Sequence, residues 1–283
     1  MHTKHTLIFG NSISMIELPD ESIHLIVTSP PYFNAPFDYK NLFKSYEQYL
    51  GVIEKVAKES FRVLKEGRIF ALNIDDMLVD GKKYPITADA TKIFQHAGFT
   101  YRDRIVWKKP DGYLRISKRS GVLLQNPYPM YFYPDNLLES IIIFQKGKFK
   151  YSSISKEIKE KSKIDIKEFQ KNNWHRTLWE MTNVLPGSEL EKGIAAFPDE
   201  LPYRIIKLFS YIGETVLDPF LGSGTTMKVA NLLHRNSIGI EIIRDLENII
   251  RSKIDVENLE IIERNKGKYR YVTLEYINKK MST

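Results

Sequence analysis

Five consecutive residues, Thr28-Ser29-Pro30-Pro31-Tyr32, set a hydroxyl, a backbone carbonyl and an aromatic face side by side. Two successive prolines have no amide N–H and hold φ near about −65°, so the backbone here is stiff and extended. The Ser29 hydroxyl oxygen and the Pro30 carbonyl can accept from an exocyclic NH2, while Tyr32 can stack on the plane that carries it. A nucleobase lifted out of a duplex offers both features. The competing reading is an ordinary proline-rich turn with Tyr32 as a core aromatic.

A second group lies far along the chain, in Asp218-Pro219-Phe220-Leu221-Gly222-Ser223-Gly224-Thr225-Thr226 followed by Glu241. Glycines at 222 and 224 let backbone approach a ligand where a Cβ would collide. An acidic residue about 20 positions on, closing the next strand, suits the two hydroxyls of a ribose. The turn is not Gly-x-Gly-x-x-Gly and lacks the Gly-Lys-Ser/Thr of a phosphate cradle. Asp218 at its mouth repels a pyrophosphate and attracts an ammonium or sulfonium centre. S-adenosylmethionine carries both cations and a ribose and no phosphate, so the charge pattern selects it over NAD or ATP. The competing reading is a glycine-rich strand–helix turn with no ligand.

Composition narrows the chemistry further. The chain has 283 residues, no cysteine and a net charge of +7. Without cysteine there is no disulfide, no thiolate metal site and no thiolate nucleophile. If the substrate is cytosine, methylation of ring carbon-5 is therefore excluded, because it needs that nucleophile. The six histidines show no metal-ligand spacing, so no metal is expected. His24, inside an apolar run, reads as a core or boundary histidine. The positive charge fits a polyanionic partner. Absence of a run of about 18 apolar residues argues against a membrane span, and a soluble, cytoplasmic protein is the expectation.

Strands and helices must place these groups. Residues 23–27 form a β-branched apolar run that ends where the prolines begin, and residues 33–39 read as a loop over a pocket. Apolar spacing predicts a helix over 46–64, a buried strand over 68–74, a helix over 86–96 and a strand over 100–108. Residues 138–145 give another strand, 202–211 a helix, 216–217 a strand, 223–233 a helix and 237–240 a strand; one or two edge strands fall within 259–277. This alternation is the pattern of an α/β fold with a doubly wound, mostly parallel twisted sheet. Its chemistry is then expected at the carboxyl ends of the strands. Residues 110–136 are too long for a plain connection. Residues 146–176 carry about ten Lys/Arg against four Asp/Glu with aromatics interleaved, which reads either as a solvated charged surface or as a grip on DNA phosphates.

Together, Thr28-Ser29-Pro30-Pro31-Tyr32 and the 218–226 stretch resemble the amino-methylating (N4-cytosine or N6-adenine) DNA methyltransferases. The order, with the catalytic loop first, the cofactor loop last and a variable region between, is similar to the β arrangement of that family. The resemblance implies a Rossmann-like S-adenosylmethionine-dependent fold with a catalytic half (1–109), a target-recognition region (110–182) and a cofactor-binding half (183–283). It implies that Ser29, Pro30, Pro31 and Tyr32 hold a flipped base. It further implies that Asn11, Phe197, Pro198, Asp218, Phe220, Gly222, Gly224, Thr225 and Glu241 line the cofactor site. Asn11 stands where the family more often has an acidic residue.

Within the family, Ser-Pro-Pro-Tyr is more typical of cytosine-N4 methylation and Asp-Pro-Pro-Tyr of adenine-N6. The implied partners are double-stranded DNA and a companion restriction endonuclease, with the enzyme a nucleoid-associated monomer or homodimer. Two rivals stand beside this reading. One is a methyltransferase for RNA or protein glutamine, whose Asn-Pro-Pro-Tyr usually follows the cofactor loop. The other is a nucleic-acid-binding protein without catalysis.

Overall fold

The computed structural model describes residues 3–35, 41–110, 120–182, 197–254, 256 and 259–264. Residues 36–39 of the expected pocket loop and 265–277 of the expected edge strands lie outside that set. In chain order the strands are β1 (His5–Phe9), β2 (Ile23–Thr28), β3 (Leu64–Ile74), β4 (Met77–Val79), β5 (Lys82–Tyr84), β6 (Thr100–Lys108), β7 (Leu138–Gln145), β8 (Leu178–Glu180), β9 (Thr215–Asp218), β10 (Asn236–Glu241) and β11 (Leu259–Glu263). The helices are α1 (Tyr46–Val63), α2 (Ile86–His96), α3 (Ser120–Gln125), α4 (Lys156–Lys161), α5 (Ile166–Lys171), α6 (Glu200–Phe209), α7 (Thr225–Leu232) and α8 (Glu247–Ile254).

Among the described residues a nine-stranded sheet runs in the order β11-β1-β10-β9-β2-β3-β7-β6-β8, with β4 and β5 as a separate hairpin. All pairings in it are parallel except those of β7, which is antiparallel to both β3 and β6. The expected doubly wound architecture is present. The exception follows from connectivity: a parallel neighbour needs a crossover, whereas β6 turns back into β7 through the 109–137 connection. Strands β7 and β8, both inside 110–182, therefore belong to the main sheet.

Side chains alternate between the two faces with period two. On one face Phe70, Leu72, Ile142 and Phe144 pack under α1 and α2. On the other Ile69, Ala71, Ile141 and Ile143 pack with Trp107 under α6 and α7. Helix α1 opens with Ser45, whose side chain accepts from Gln48 N, and buries Tyr49, Ile53, Val56, Ala57, Ser60 and Val63 at helical spacing. It passes straight into β3, four residues before the expected strand start. Gly67 lies within the strand at φ +80°, and its N–H donates to the Lys146 carbonyl. A Cβ there would sit 2.5 Å from Phe149 Cα, so the close approach requires glycine.

The basic stretch is built from α4 and α5, capped by Ser155 and Asp165, and neither helix has a buried residue. Its tryptophan is different: Trp174 is buried, and Arg204 of α6 lies 5.9 Å from its ring centroid. Trp174 thus pins the segment to the core and is no exposed stacking platform. His24 accepts from Thr215 N at 3.2 Å. Burial, with Lys65 and Arg68 nearby, pushes its imidazole down to about 3, so it stays neutral as a boundary histidine. No helix among the described residues is long and apolar enough to cross a membrane.

Candidate active site

The two chemistry-bearing loops meet. Strands β2 and β9 are neighbours, with Ile26 opposite Leu217. From β2 the chain moves outward through β3, and from β9 it moves the other way through β10, so this junction is the switch point of the sheet. A crevice opens at such a point outside the carboxyl ends of the strands. Across it Thr28 Oγ1 donates to Asp218 Oδ1 at 2.6 Å.

Asp218 is 1% exposed and engages three donors in all. Thr226 Oγ1 reaches Oδ2 at 2.6 Å, and Phe220 N reaches Oδ1 at 3.0 Å. Burial pushes its carboxyl up to about 6, against the pull of those bonds. The expected cation-facing carboxylate is therefore also the knot between the catalytic and glycine-rich loops. Both of its oxygens are bonded within the protein.

Gly222 and Gly224 stand at φ +57° and +93°, conformations that favour glycine. Gly222 N donates to Glu241 Oε2 at 2.7 Å, and Ile242 N and Ile243 N each donate to Oε1 at 2.8 Å. Three of about four lone-pair positions of this carboxylate are thus filled, which leaves room on Oε2. Burial raises Glu241 to about 7 despite the backbone donors. Thr225 is buried at the start of α7, directly after Gly224. Phe220 packs partly buried against the α1-side core. Beneath the loop, a Cβ on Gly239 would come within 2.4 Å of Leu221 Cδ2, so the loop lies flat on β10 because position 239 is glycine.

A third loop closes the same edge. Gly10 N donates to the Glu241 carbonyl at 2.9 Å, and the Ser12 hydroxyl donates to the Pro219 carbonyl. Asn11 Oδ1 turns back to accept from Ile13 N at 3.1 Å. The Asn11 carbonyl takes a bond from Arg264, which also clasps both oxygens of Glu17. Phe197 and Pro198 are buried just before α6, and Phe197 shares a cluster with Val27 and Val216. Next to them Asp199 pairs with Lys228 of α7 at 2.5 Å, tying this segment to the helix that the glycine loop opens.

On the catalytic side Ser29 and Pro31 are partly exposed, and Pro30 is buried. Tyr32 is 7% exposed, and its hydroxyl donates to Glu139 Oε2 at 2.9 Å. Burial and the Glu139 charge push the phenol well above its usual value, so it remains neutral. By burial Tyr32 is a core aromatic, and by position it is the last residue of the proline loop.

Sequence reasoning missed Asn73, Asp75, Lys109 and Glu139, which gather beside this loop. Asp75 accepts from Asn136 Nδ2, and burial with the Glu139 charge raises its carboxyl to about 7. The available signal was a polar residue near the end of an otherwise apolar strand run, as Asn73 is in residues 69–74 of β3. Among the described residues no group of His, Asp or Glu could hold a metal. The edge as a whole brings two buried acids, two left-handed glycines and the polar group around Glu139 to the carboxyl ends of adjoining strands.

Comparison with known proteins accords with that chemistry. A profile of the family described as DNA methylase matches residues 23–252. The chain is 34% identical to the Type II methyltransferase M.MjaI of Methanocaldococcus jannaschii, covering 92% of this chain and 94% of the relative. It is 32% identical to the Type II methyltransferase M.MthZI of Methanothermobacter thermautotrophicus, over 95% and 85% of the two chains. Among solved structures, TTHA0409 of Thermus thermophilus complexed with S-adenosyl-L-methionine superposes with a TM-score of 0.71 at 26% identity, over 91% of this chain and 99% of that one. The cytosine-N4-specific PvuII DNA methyltransferase shares the fold, with a TM-score of 0.63 at 19% identity over 91% and 95% of the chains.

Proposed function

The chain belongs to the DNA methylase family, and from that premise we propose that it methylates the exocyclic N4 amine of cytosine in a short duplex DNA sequence. The observation that carries this reading is the 2.6 Å bond from Thr28 to Asp218, which sets Ser29-Pro30-Pro31-Tyr32 beside the glycine loop.

S-adenosylmethionine is the methyl donor, and the donor set fits it. Left-handed glycines at 222 and 224 form the floor, the buried acid Asp218 lies beneath it, and Glu241 keeps lone-pair capacity for a ribose hydroxyl. In this assignment Asn11 meets the adenine edge with its NH2, while Phe197, Pro198, Phe220 and Thr225 shape the walls. When bound, the cofactor supplies a methyl group on a cationic sulfur, and the C–S electron pair stays with sulfur as the N–C bond forms.

The protein's part is positioning and electrostatics. Ser29 Oγ and the Pro30 carbonyl accept from the target NH2, which localises a lone pair otherwise spread into the ring. Tyr32 replaces the stacking lost on flipping, a contribution of about 1–3 kcal/mol. The nitrogen then sheds one proton to water. Serine at the head of the motif favours cytosine over adenine, and the lack of cysteine removes carbon-5 chemistry.

Outside β7 and β8, the 110–182 stretch is assigned to reading DNA, with the lysines of α4 and α5 on phosphates. Type II methyltransferases among the relatives support a role as the modification partner of a restriction endonuclease. Incubation with labelled S-adenosylmethionine and unmethylated duplex DNA, then nucleoside analysis, tests the reading. N4-methylcytosine is expected, N6-methyladenine would reassign the base, and transfer only to RNA or protein would overturn the proposal.

A further inference from the structure

The row of side chains that faces α6 ends, on three neighbouring strands, in polar groups. After Ile69 and Ala71 on β3 comes Asn73, before Ile141 and Ile143 on β7 comes Glu139, and after Ile105 and Trp107 on β6 comes Lys109. Asn73, Glu139 and Lys109 are 3%, 8% and 5% exposed. Lys109 Nζ lies 2.5 Å from Glu139 Oε1. Glu139 Oε2 accepts from Asn73 Nδ2 at 2.6 Å and from the Tyr32 hydroxyl at 2.9 Å.

A carboxylate beside a lysine only accepts, which fixes the Asn73 amide with its nitrogen toward Glu139 and its oxygen away. That nitrogen is also 3.5 Å from Ser29 Oγ, so the amide borders the proline loop. Asn73 Oδ1 is buried and meets no donor among the described residues. Orphaned buried acceptors are rare and destabilising, and they call for an explanation. A donor brought by the substrate supplies one.

We propose that Asn73 Oδ1 is a further acceptor for the target amine, and that Glu139, held by Lys109, is the positioning residue that aims Asn73 and Tyr32 together. This rests on the amine-methylation reading above. With Ser29 Oγ, the Pro30 carbonyl and Asn73 Oδ1 all accepting, one N–H is shared between two oxygens. A base that presents a keto oxygen at that place meets only acceptors and is rejected, so the pocket selects amino bases over keto bases.

The test uses the full chain with unmethylated phage DNA, measuring single-turnover methyl transfer and, separately, the Kd for S-adenosylmethionine. Asn73→Ala removes the acceptor without adding charge, and transfer is expected to fall about 100-fold or more, as for loss of one preorganised group, with cofactor Kd unchanged. Asn73→Asp sets two carboxylates against each other, and Glu139→Gln removes the charge that Lys109 and the Tyr32 hydroxyl face; each is expected to lose a similar factor. The double variant N73D/E139Q restores an N–H to carboxylate bond of reversed polarity and keeps an oxygen at 73, so it is expected to recover most of the rate. A rate for Asn73→Ala near that of the parent overturns the assignment, as does a double variant that binds cofactor but transfers no faster than the slower single. A parent chain that methylates no DNA defeats the functional reading itself and this inference with it, whereas losses confined to the variants bear on Asn73 and Glu139 alone.

Discussion

Thr28→Val deletes one hydroxyl while keeping the side chain's size and its preference for a strand. In the parent that hydroxyl donates to Asp218 Oδ1 at 2.6 Å, across the junction of the two loops. A hydrogen bond to an ionised group contributes about 1.5–3 kcal/mol, and one between neutral groups about 1 kcal/mol. Asp218, raised to about 6, is ionised at pH 8 and keeps Thr226 Oγ1 and Phe220 N as donors in the variant. The variant should therefore lose about 1.5–3 kcal/mol at pH 8, a fall in Tm of roughly 3–5 °C for a chain of this size. Removing a donor raises the Asp218 pKa further, so the gap between parent and variant is full above that range. It narrows toward about 1 kcal/mol as pH falls through the parent value. Calorimetric melts at pH 8 and pH 5, with a cofactor titration at each, measure this. Melting within about 1 °C of the parent at pH 8, together with unchanged cofactor affinity, would show that the bond does not couple the loops.

Tyr32→Ala should lose most methyl transfer yet bind S-adenosylmethionine as the parent does, and full methylation of DNA by that variant would refute the stacking role. Asp218→Ala leaves two hydroxyls and an amide N–H without their acceptor, so it should destabilise the chain by about 3–5 kcal/mol and weaken cofactor binding; unchanged affinity by calorimetry would count against the assignment. Asp75, Asp218 and Glu241 are held near 7, 6 and 7, above their unfolded values. Their contribution favours folding below about pH 4 and is lost as pH rises through 6–7. A cationic ligand prefers the ionised carboxylates, so cofactor affinity should rise between pH 5.5 and 7.5 with proton release on binding, and a flat profile would contradict the placement of Asp218 and Glu241 at its site.

Much of the site was legible because its signals are local. Proline pairs stiffen backbone wherever they occur, a glycine's missing Cβ acts at its own position, and the apolar runs of β2, β7 and β10 follow from spacing alone. Boundaries slipped where a local signal met a tertiary partner, as at the start of β3, where Gly67 lies inside the strand and pairs with the Lys146 carbonyl. The aromatics of 146–176 read as part of a charged stretch, either solvated surface or a grip on DNA, and the fold uses one of them, Trp174, to anchor that stretch to α6.

The sequence by itself determined which chemistry was open to this chain: acceptors and an aromatic on a stiff loop, acids on a glycine floor, and no thiolate. Only the tertiary structure decided which groups act together. Thr28 and Asp218 meet across 190 residues and Asn73 and Glu139 across 66, through strand order and an antiparallel register. Such pairings are set by which strands lie side by side and which face each residue takes, and neither quantity is local to any stretch of the chain.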